Sequence, residues 1–445
     1  MRIRLKTWAP CKHPQGLRTS RPESSVADFG NSILRIYIQV LSLLCGTAFL
    51  LMASGLHGLL LPLRGGLEGF SVASLGLLGT TWAGGFVAGC LFAPRLVRRV
   101  GHVRAFGCFA ASAAIIALLS GIFIDPTSWI VLRAFTGFAM AGAFMVIESW
   151  LNERATNESR GRIFGLYMMV NYGASMSGQM LVAAGDVRSD HLFMICGVFF
   201  CLALIPTAIS TAVSPKPLTE VQLDLKALYR NSPAAFVGCI LIGIANGAWG
   251  TLGAVFGAQS GISTTEIALM VSGTIAAGAL MQIPVGRISD LVDRRLVLAG
   301  VAALAALVGL VTFIVAPASG TVIIIMTGFY GALAYALYPV AVAHANDHAT
   351  AESFVKVSSG LLLLYGFGTM LGPLLAAVAM DIFWPAGLFA VTMLAHISIT
   401  GYALFRSRQR AAIPNDEKDQ FKSMPSERGA TPEALNLDPR AETDS

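Results

Sequence analysis

The sequence is short of charge. Asp, Glu, Lys and Arg make up 13% of its 445 residues, where a soluble chain carries about 25%. That shortage excludes the two or three soluble domains a chain of this length would otherwise form. Lys and Arg outnumber Asp and Glu by only 31 to 25, too small a surplus to point to nucleic acid. Cysteine is scarce as well. All but Cys11 of the seven (Cys11, Cys45, Cys90, Cys108, Cys196, Cys201, Cys239) sit inside apolar runs. None stands in a CxxC beside histidines, so they read as small buried hydrophobes, with no disulfide framework and no zinc site. A GxxxxGK[ST] loop is lacking, which excludes ATP as the direct driver of any work this chain does. No apolar core precedes residue 33, so the basic start (Arg2, Arg4, Lys6, Lys12, Arg18, Arg21) is not a secretory signal. It reads as a basic cytosolic tail or an over-extended start.

What is abundant is apolar length. Hydrophobic residues make up 55% of the chain, and its mean hydropathy is +0.68. A bilayer core takes about 20 mostly apolar residues per helix. Twelve stretches qualify: 33–61, 70–93, 105–124, 129–152, 162–184, 192–213, 234–259, 266–286, 296–316, 320–343, 356–380 and 385–406. The predicted fold class is therefore all-α and polytopic. Glycine is plentiful at 46 residues, as helices packed closely in lipid require.

Basic residues predict orientation. Arg95, Arg98, Arg99 and Arg104 fall at one set of span ends, with Arg154, Arg160, Arg162, Lys216, Lys226, Arg230, Arg287, Arg294, Arg295, Lys356, Arg406, Arg408 and Arg410. The other set holds only Arg64 and Arg188. Both termini are thus expected in the cytoplasm, with the chain in the inner membrane. The expected divisions are a basic tail (1–32), a six-helix half (33–213), a cytosolic linker (214–233), a second six-helix half (234–406) and a polar tail (407–445) whose Pro, Asp, Glu and Ser content predicts disorder. The halves look alike: "GFAMAGAFMVIESWLNERAT" from Gly137 lies over "GFYGALAYALYPVAVAHAND" from Gly328. Two similar halves with a site between them suit a transporter.

"GRISDLVDRR" (286–295) resembles the loop signature of the major facilitator superfamily, through Gly286, Asp290, Arg294 and Arg295, with Asp293 in place of a glycine. The first-half counterpart, "APRLVRRVGHVRAF", keeps Gly101 but has Arg98 where the family has aspartate. "WIVLRAFTG" resembles the fourth-helix signature through Arg133 and Gly137. "ESWLNERATNESRGR", "PRLVRRVGH" and "LYPVAVAHAND" resemble the YcaD-like branch, whose members are named transporters without an agreed cargo. The resemblance implies transport and leaves the cargo open; the expectation drawn here is a secondary carrier of a small organic solute, working by alternating access and driven by a proton or substrate gradient, without cofactor or metal, as a monomer. The resemblance also implies that spans one, four, seven and ten line the cavity.

Charged groups inside a span are functional candidates by default. Glu148 is the one carboxylate well inside a predicted span, about 6 Å from its inner end. Two readings are open: it takes and releases the coupling proton, or it pairs with Arg98 or Arg99 as part of an inner gate. Asp290, Arg294 and Arg295 belong to the same gating set. Arg133 is a candidate for an anionic substrate group, or a snorkelling arginine that reaches the headgroups. Asn171, Tyr172, Asn246, Trp249, Tyr335 and Tyr338 are candidate substrate contacts, with Tyr365, Gln39 and His57 of the same kind. For each, helix packing is the competing account. "HANDH" (344–348) places His344 and His348 one turn apart, which suggests metal only if a third ligand joins them; loop caps and gate contacts are the other reading. A membrane enzyme would need a clustered nucleophile, base or metal set, and a receptor on this fold would add a long cytosolic domain. Neither is evident.

Overall fold

The computed structural model describes residues 26–156, 159–209, 224–315, 319–349, 353–415, 417–418, 420–424 and 431–437. The basic tail before residue 26 (with Cys11), linker residues 210–223 and the last residues, 438–445, lie outside them. Twelve long helices make up the bundle: α1 (Val26–Leu67), α2 (Val72–Val100), α3 (His102–Ile122), α4 (Pro126–Arg154), α5 (Arg160–Ala184), α6 (His191–Ile209), α8 (Pro233–Gln259), α9 (Thr264–Leu291), α10 (Arg294–Val315), α11 (Gly320–Asn346), α12 (Phe354–Phe383) and α13 (Gly387–Ser407). A short helix, α7 (Leu225–Asn231), precedes α8, and a 3-10 helix, Pro432–Leu437, lies in the tail. Among the described residues eleven helices are long and apolar enough to cross a membrane. α5 is the exception. It has the length, but "RGRIFGLYMMVNYGASMSGQ" mixes Arg, Asn, Ser and Gln into its apolar residues.

Local chemistry sets the ends. Asp125 accepts the Ser128 amide and Pro126 opens α4, so the helix starts with an orphan donor satisfied and none lost to proline. Ser263 and Glu266 form a reciprocal capping box at α9. Gly101 takes φ +84 between α2 and α3, a conformation that costs a glycine little.

The packing scheme repeats. α1 lies on α5 and α6, α2 on α4, and α3 on α6. In the same way α8 lies on α12 and α13, α9 on α11, and α10 on α13. The two sets meet through α2 against α12, α5 against α9, and α1 and α2 against α8. Contact within α2–α4 is backbone to backbone. A Cβ on Gly137 would lie 2.0 Å from the Trp82 carbonyl oxygen, so only glycine permits this approach. Gly137→Val is expected to destabilise the protein by about 1–3 kcal/mol through overpacking, read as a lower unfolding midpoint in detergent.

The described part of the tail departs from the disorder expected of its composition. Phe421 lies against Gly286, and Met424, Ala434, Leu435 and Leu437 are buried in the bundle. Apolar residues too few to form a core of their own find one ready-made here.

Candidate functional site

The helices leave a cavity between the two sets. Ser54, Gly55, Gly58 and Pro62 of α1 line it, with Asn171, Ser175 and Gln179 of α5, Trp249 and Thr251 of α8, Val271 and Ile275 of α9, and Tyr335 of α11. Its empty space is about 780 Å³, counting its open mouth. The lining holds hydroxyls, amides and two large aromatics, and no charged side chain. Gln179 accepts a hydrogen bond from the Ser272 hydroxyl across the two sets (3.0 Å). The Trp249 indole packs against Tyr330 and Phe389, with ring centroids 5.6 and 5.9 Å away.

The structure sorts the predicted substrate contacts. Asn171, Trp249 and Tyr335 meet in this cavity. Arg133 is buried and lines a smaller recess with Gly79, sharing Gly58, Pro62, Gly250 and Thr251 with the main cavity. Its guanidinium lies over the Trp82 ring, 5.7 Å from the centroid. Asn246 and Tyr338 belong to a separate cluster outside the lining. The Asn246 amide donates to the Tyr365 hydroxyl (3.2 Å), and the Tyr338 ring packs on Tyr365 at 4.7 Å. Tyr172 faces the tail, donating its hydroxyl to the Met424 carbonyl (2.8 Å) and accepting from Gln282 (3.1 Å). His57 is buried beside Phe193; the Gln39 side chain lies outside the described residues.

Glu148 is fully buried. Its carboxylate accepts from the Tyr167 hydroxyl (2.8 Å) and from the amide (3.1 Å) and hydroxyl of Thr431. These are its partners among the described residues. Arg98 and Arg99 are exposed on α2. Sequence reasoning missed Tyr167 and Thr431. A tyrosine in an apolar run carries no distinguishing signal, and Thr431 sits in a stretch that reads as disordered.

Of the gating set, Arg294 and Asp290 come together with a partner the sequence did not assign. Arg294 is buried, with its guanidinium on both Asp347 oxygens (2.7 and 3.3 Å), on Asp290 (3.0 Å) and on the Ser289 hydroxyl (2.9 Å). Arg295 forms a fork onto Asp293 (3.1 and 2.8 Å) and donates to the Arg406 carbonyl (3.1 Å). Burial pushes the Asp293 carboxyl up, but the hydrogen bonds and charge of Arg295 outweigh it and hold the group below its ordinary range. In "HANDH", Asp347 is thus committed to Arg294, and the His348 ring nitrogen bonds the His344 carbonyl (3.0 Å). The segment serves as a loop cap and ion-pair anchor.

Comparison with known proteins points one way. The family model of the Major Facilitator Superfamily matches residues 43–263 and 234–435. An uncharacterized MFS-type transporter YcaD of Salmonella heidelberg (strain SL476) is 28% identical over 378 residues, spanning 84% of this chain and 97% of that protein. The Salmonella typhi protein of the same name matches to the same extent. Two solved structures share the fold. A point mutant of the nucleoside transporter NupG aligns with TM-score 0.69 at 14% identity, over 84% of this chain and 100% of that one. A bacterial homolog of the human lysosomal transporter Spinster, inward-facing and occupied, aligns with TM-score 0.71 at 14% identity, over 85% and 97%.

Proposed function

The chain belongs to the Major Facilitator Superfamily and is a multi-pass membrane transporter; from that premise we propose that it is a proton-coupled secondary carrier of a small, uncharged organic solute. The carrier works in the inner membrane by rocking two six-helix halves, α1–α6 and α8–α13, about the cavity between them. The basic span ends face the cytoplasm. The observation that carries the substrate class is the lining itself. An ionic solute needs a counter-charge when it leaves water, whereas Ser54, Asn171, Ser175, Gln179 and Thr251 offer neutral donors and acceptors around Trp249 and Tyr335. Such a wall suits a ring-bearing polar solute, and nucleosides, the cargo for which one fold neighbour is named, belong in the first screen. Arg133, in the adjoining recess, meets an acceptor at the far end of that solute.

Glu148 carries the coupling proton. It sits outside the substrate cavity but one turn of α5 links them: Tyr167, on Glu148, is followed by Asn171 at i+4, in the cavity wall. Movement at one is therefore felt at the other. Its second-half counterpart is Pro339, so the carboxylate is not required by the repeated fold.

The test is a thermal-shift screen of the purified protein against uncharged metabolites and drugs, since a ligand raises the unfolding temperature by mass action. An uncharged, ring-bearing compound is expected to shift it, and Trp249→Ala is expected to weaken that compound's binding by about tenfold. Hits confined to anions, lost in Arg133→Lys, would replace this substrate class.

A further inference from the structure

At the end of the bundle that carries the arginines, the 3-10 helix Pro432–Leu437 lies against α4, α5 and α12, and Phe421 and Met424 bond α9, in a cleft between the two sets. Three features argue that this is a built site and not a loose strap.

The first is depth. Leu291 closes α9, and Gln282 lies nine residues earlier, about 14 Å into the bundle. Gln282 accepts from the Met424 amide (3.1 Å) and the Ser423 hydroxyl (2.5 Å), and donates to Tyr172. The tail reaches the level where Asn171 begins the substrate cavity.

The second is backbone recognition on both sides of the cleft. On the α9 side, Asp290 accepts the Phe421 amide (3.0 Å), and the Leu291 and Val292 carbonyls accept from Asn415 (3.0 Å) and Lys418 (2.8 Å). On the other side, Tyr172 donates to the Met424 carbonyl (2.8 Å), and Asn152 of α4 to the Glu433 carbonyl (2.9 Å). The tail therefore ties together the two sets that must separate here when the carrier opens.

The third is the seal over Glu148. Residues Ala141–Leu151 of α4 are buried without a break, although this stretch ends at the bundle's edge. Thr431 supplies two of the donors on the Glu148 carboxylate, and the half-buried Glu433 has its carboxyl pushed up by desolvation and pulled back by the Asn436 amide.

We propose that this cleft is a peptide-binding site whose ligand is the chain's own tail, held through residues 420–424 and 431–437, and that its occupancy plugs the arginine-bearing face and locks the carrier. The plug rests on the carrier reading only for its consequence; its occupancy is measured without any transport.

The test uses the full chain in membrane vesicles with that face outward and the seven native cysteines replaced. The pair Asn152→Cys and Glu433→Cys is expected to form a disulfide on mild oxidation, well above the control pair Asn152→Cys and Glu417→Cys. Separately, Asn152→Cys alone is treated with a bulky impermeant maleimide. Labelling is expected to be about tenfold faster in Thr431→Pro, and in a chain ending at residue 410, than in the full-length protein, as a bound state populated at about ten to one requires. A synthetic peptide of residues 411–437 is expected to slow labelling of the shortened chain again. A disulfide yield no higher than the control pair, or equal labelling rates with and without the tail, overturns the proposal. Thr431→Pro keeps the whole chain, so a folding defect of the truncation does not decide the outcome.

Discussion

Arg294→Ala is expected to lower the stability of the protein by about 3–5 kcal/mol, the usual effect of removing one partner from a buried pair. The Arg294 side chain is 1% exposed and that of Asp347 3%, so the stranded carboxylate has little water to turn to. Asp290 loses its i+4 partner in the same step. Unfolding titrations in mixed micelles measure this directly. Replacing both Arg294 and Asp347 with apolar residues of similar volume is expected to recover most of the loss, because a buried ion pair contributes little net stability once its desolvation is counted. Arg99→Ala, at an exposed position, should change stability by no more than about 0.5 kcal/mol. A loss in Arg99→Ala as large as in Arg294→Ala would mean that the arginine cluster acts as a whole and not through this pair.

Glu148→Gln is expected to separate exchange from accumulation. Glutamine keeps the shape and one carbonyl acceptor for Tyr167 and Thr431 but cannot release a proton. A carrier that couples through Glu148 then still exchanges its solute across the membrane, while uptake against a gradient falls by about tenfold or more, since each tenfold corresponds to about 1.4 kcal/mol of lost coupling. The measurement compares counterflow with pH-jump uptake in proteoliposomes, using a solute found by the thermal-shift screen. Unchanged proton-driven uptake would remove Glu148 from the coupling step. Because Thr431 covers this carboxylate, the same assay in Thr431→Pro shows whether the tail limits the rate at which the proton arrives.

The helices were legible because apolar length is a direct demand of the bilayer. All twelve stretches qualified by apolar length, 162–184 among them, although the Arg, Asn, Ser and Gln of α5 make it the least apolar of the set. Glu148 stood out for the same physical reason, since a carboxylate is expensive in an apolar run. Its setting was not legible. The partner of Arg294, Asp347, lies 53 residues away, and nothing local announces a contact at that distance. Tyr338 and Tyr365 look identical in the sequence to Tyr335, yet only Tyr335 faces the cavity. One residue step turns a helical side chain by about 100°, finer than any boundary drawn from composition. The tail was the largest departure. Its scattered Phe421, Met424, Leu435 and Leu437 are too few to fold alone, and the cleft that receives them exists only once α4, α5, α9 and α12 have assembled.

Alternating access about the central cavity is the claim on which the rest depends, and labelling of a single cysteine tests it most directly. Ser54→Cys places a thiol in the cavity wall, in a chain otherwise free of cysteine. An impermeant maleimide is then applied to vesicles of each orientation, in the full-length protein and in the Thr431→Pro background. In the Thr431→Pro background the thiol is expected to be reached from both faces and to be protected on both by a solute that raises the unfolding temperature. Labelling from one face only in that background would contradict alternating access, and would leave the cavity a pocket rather than a passage.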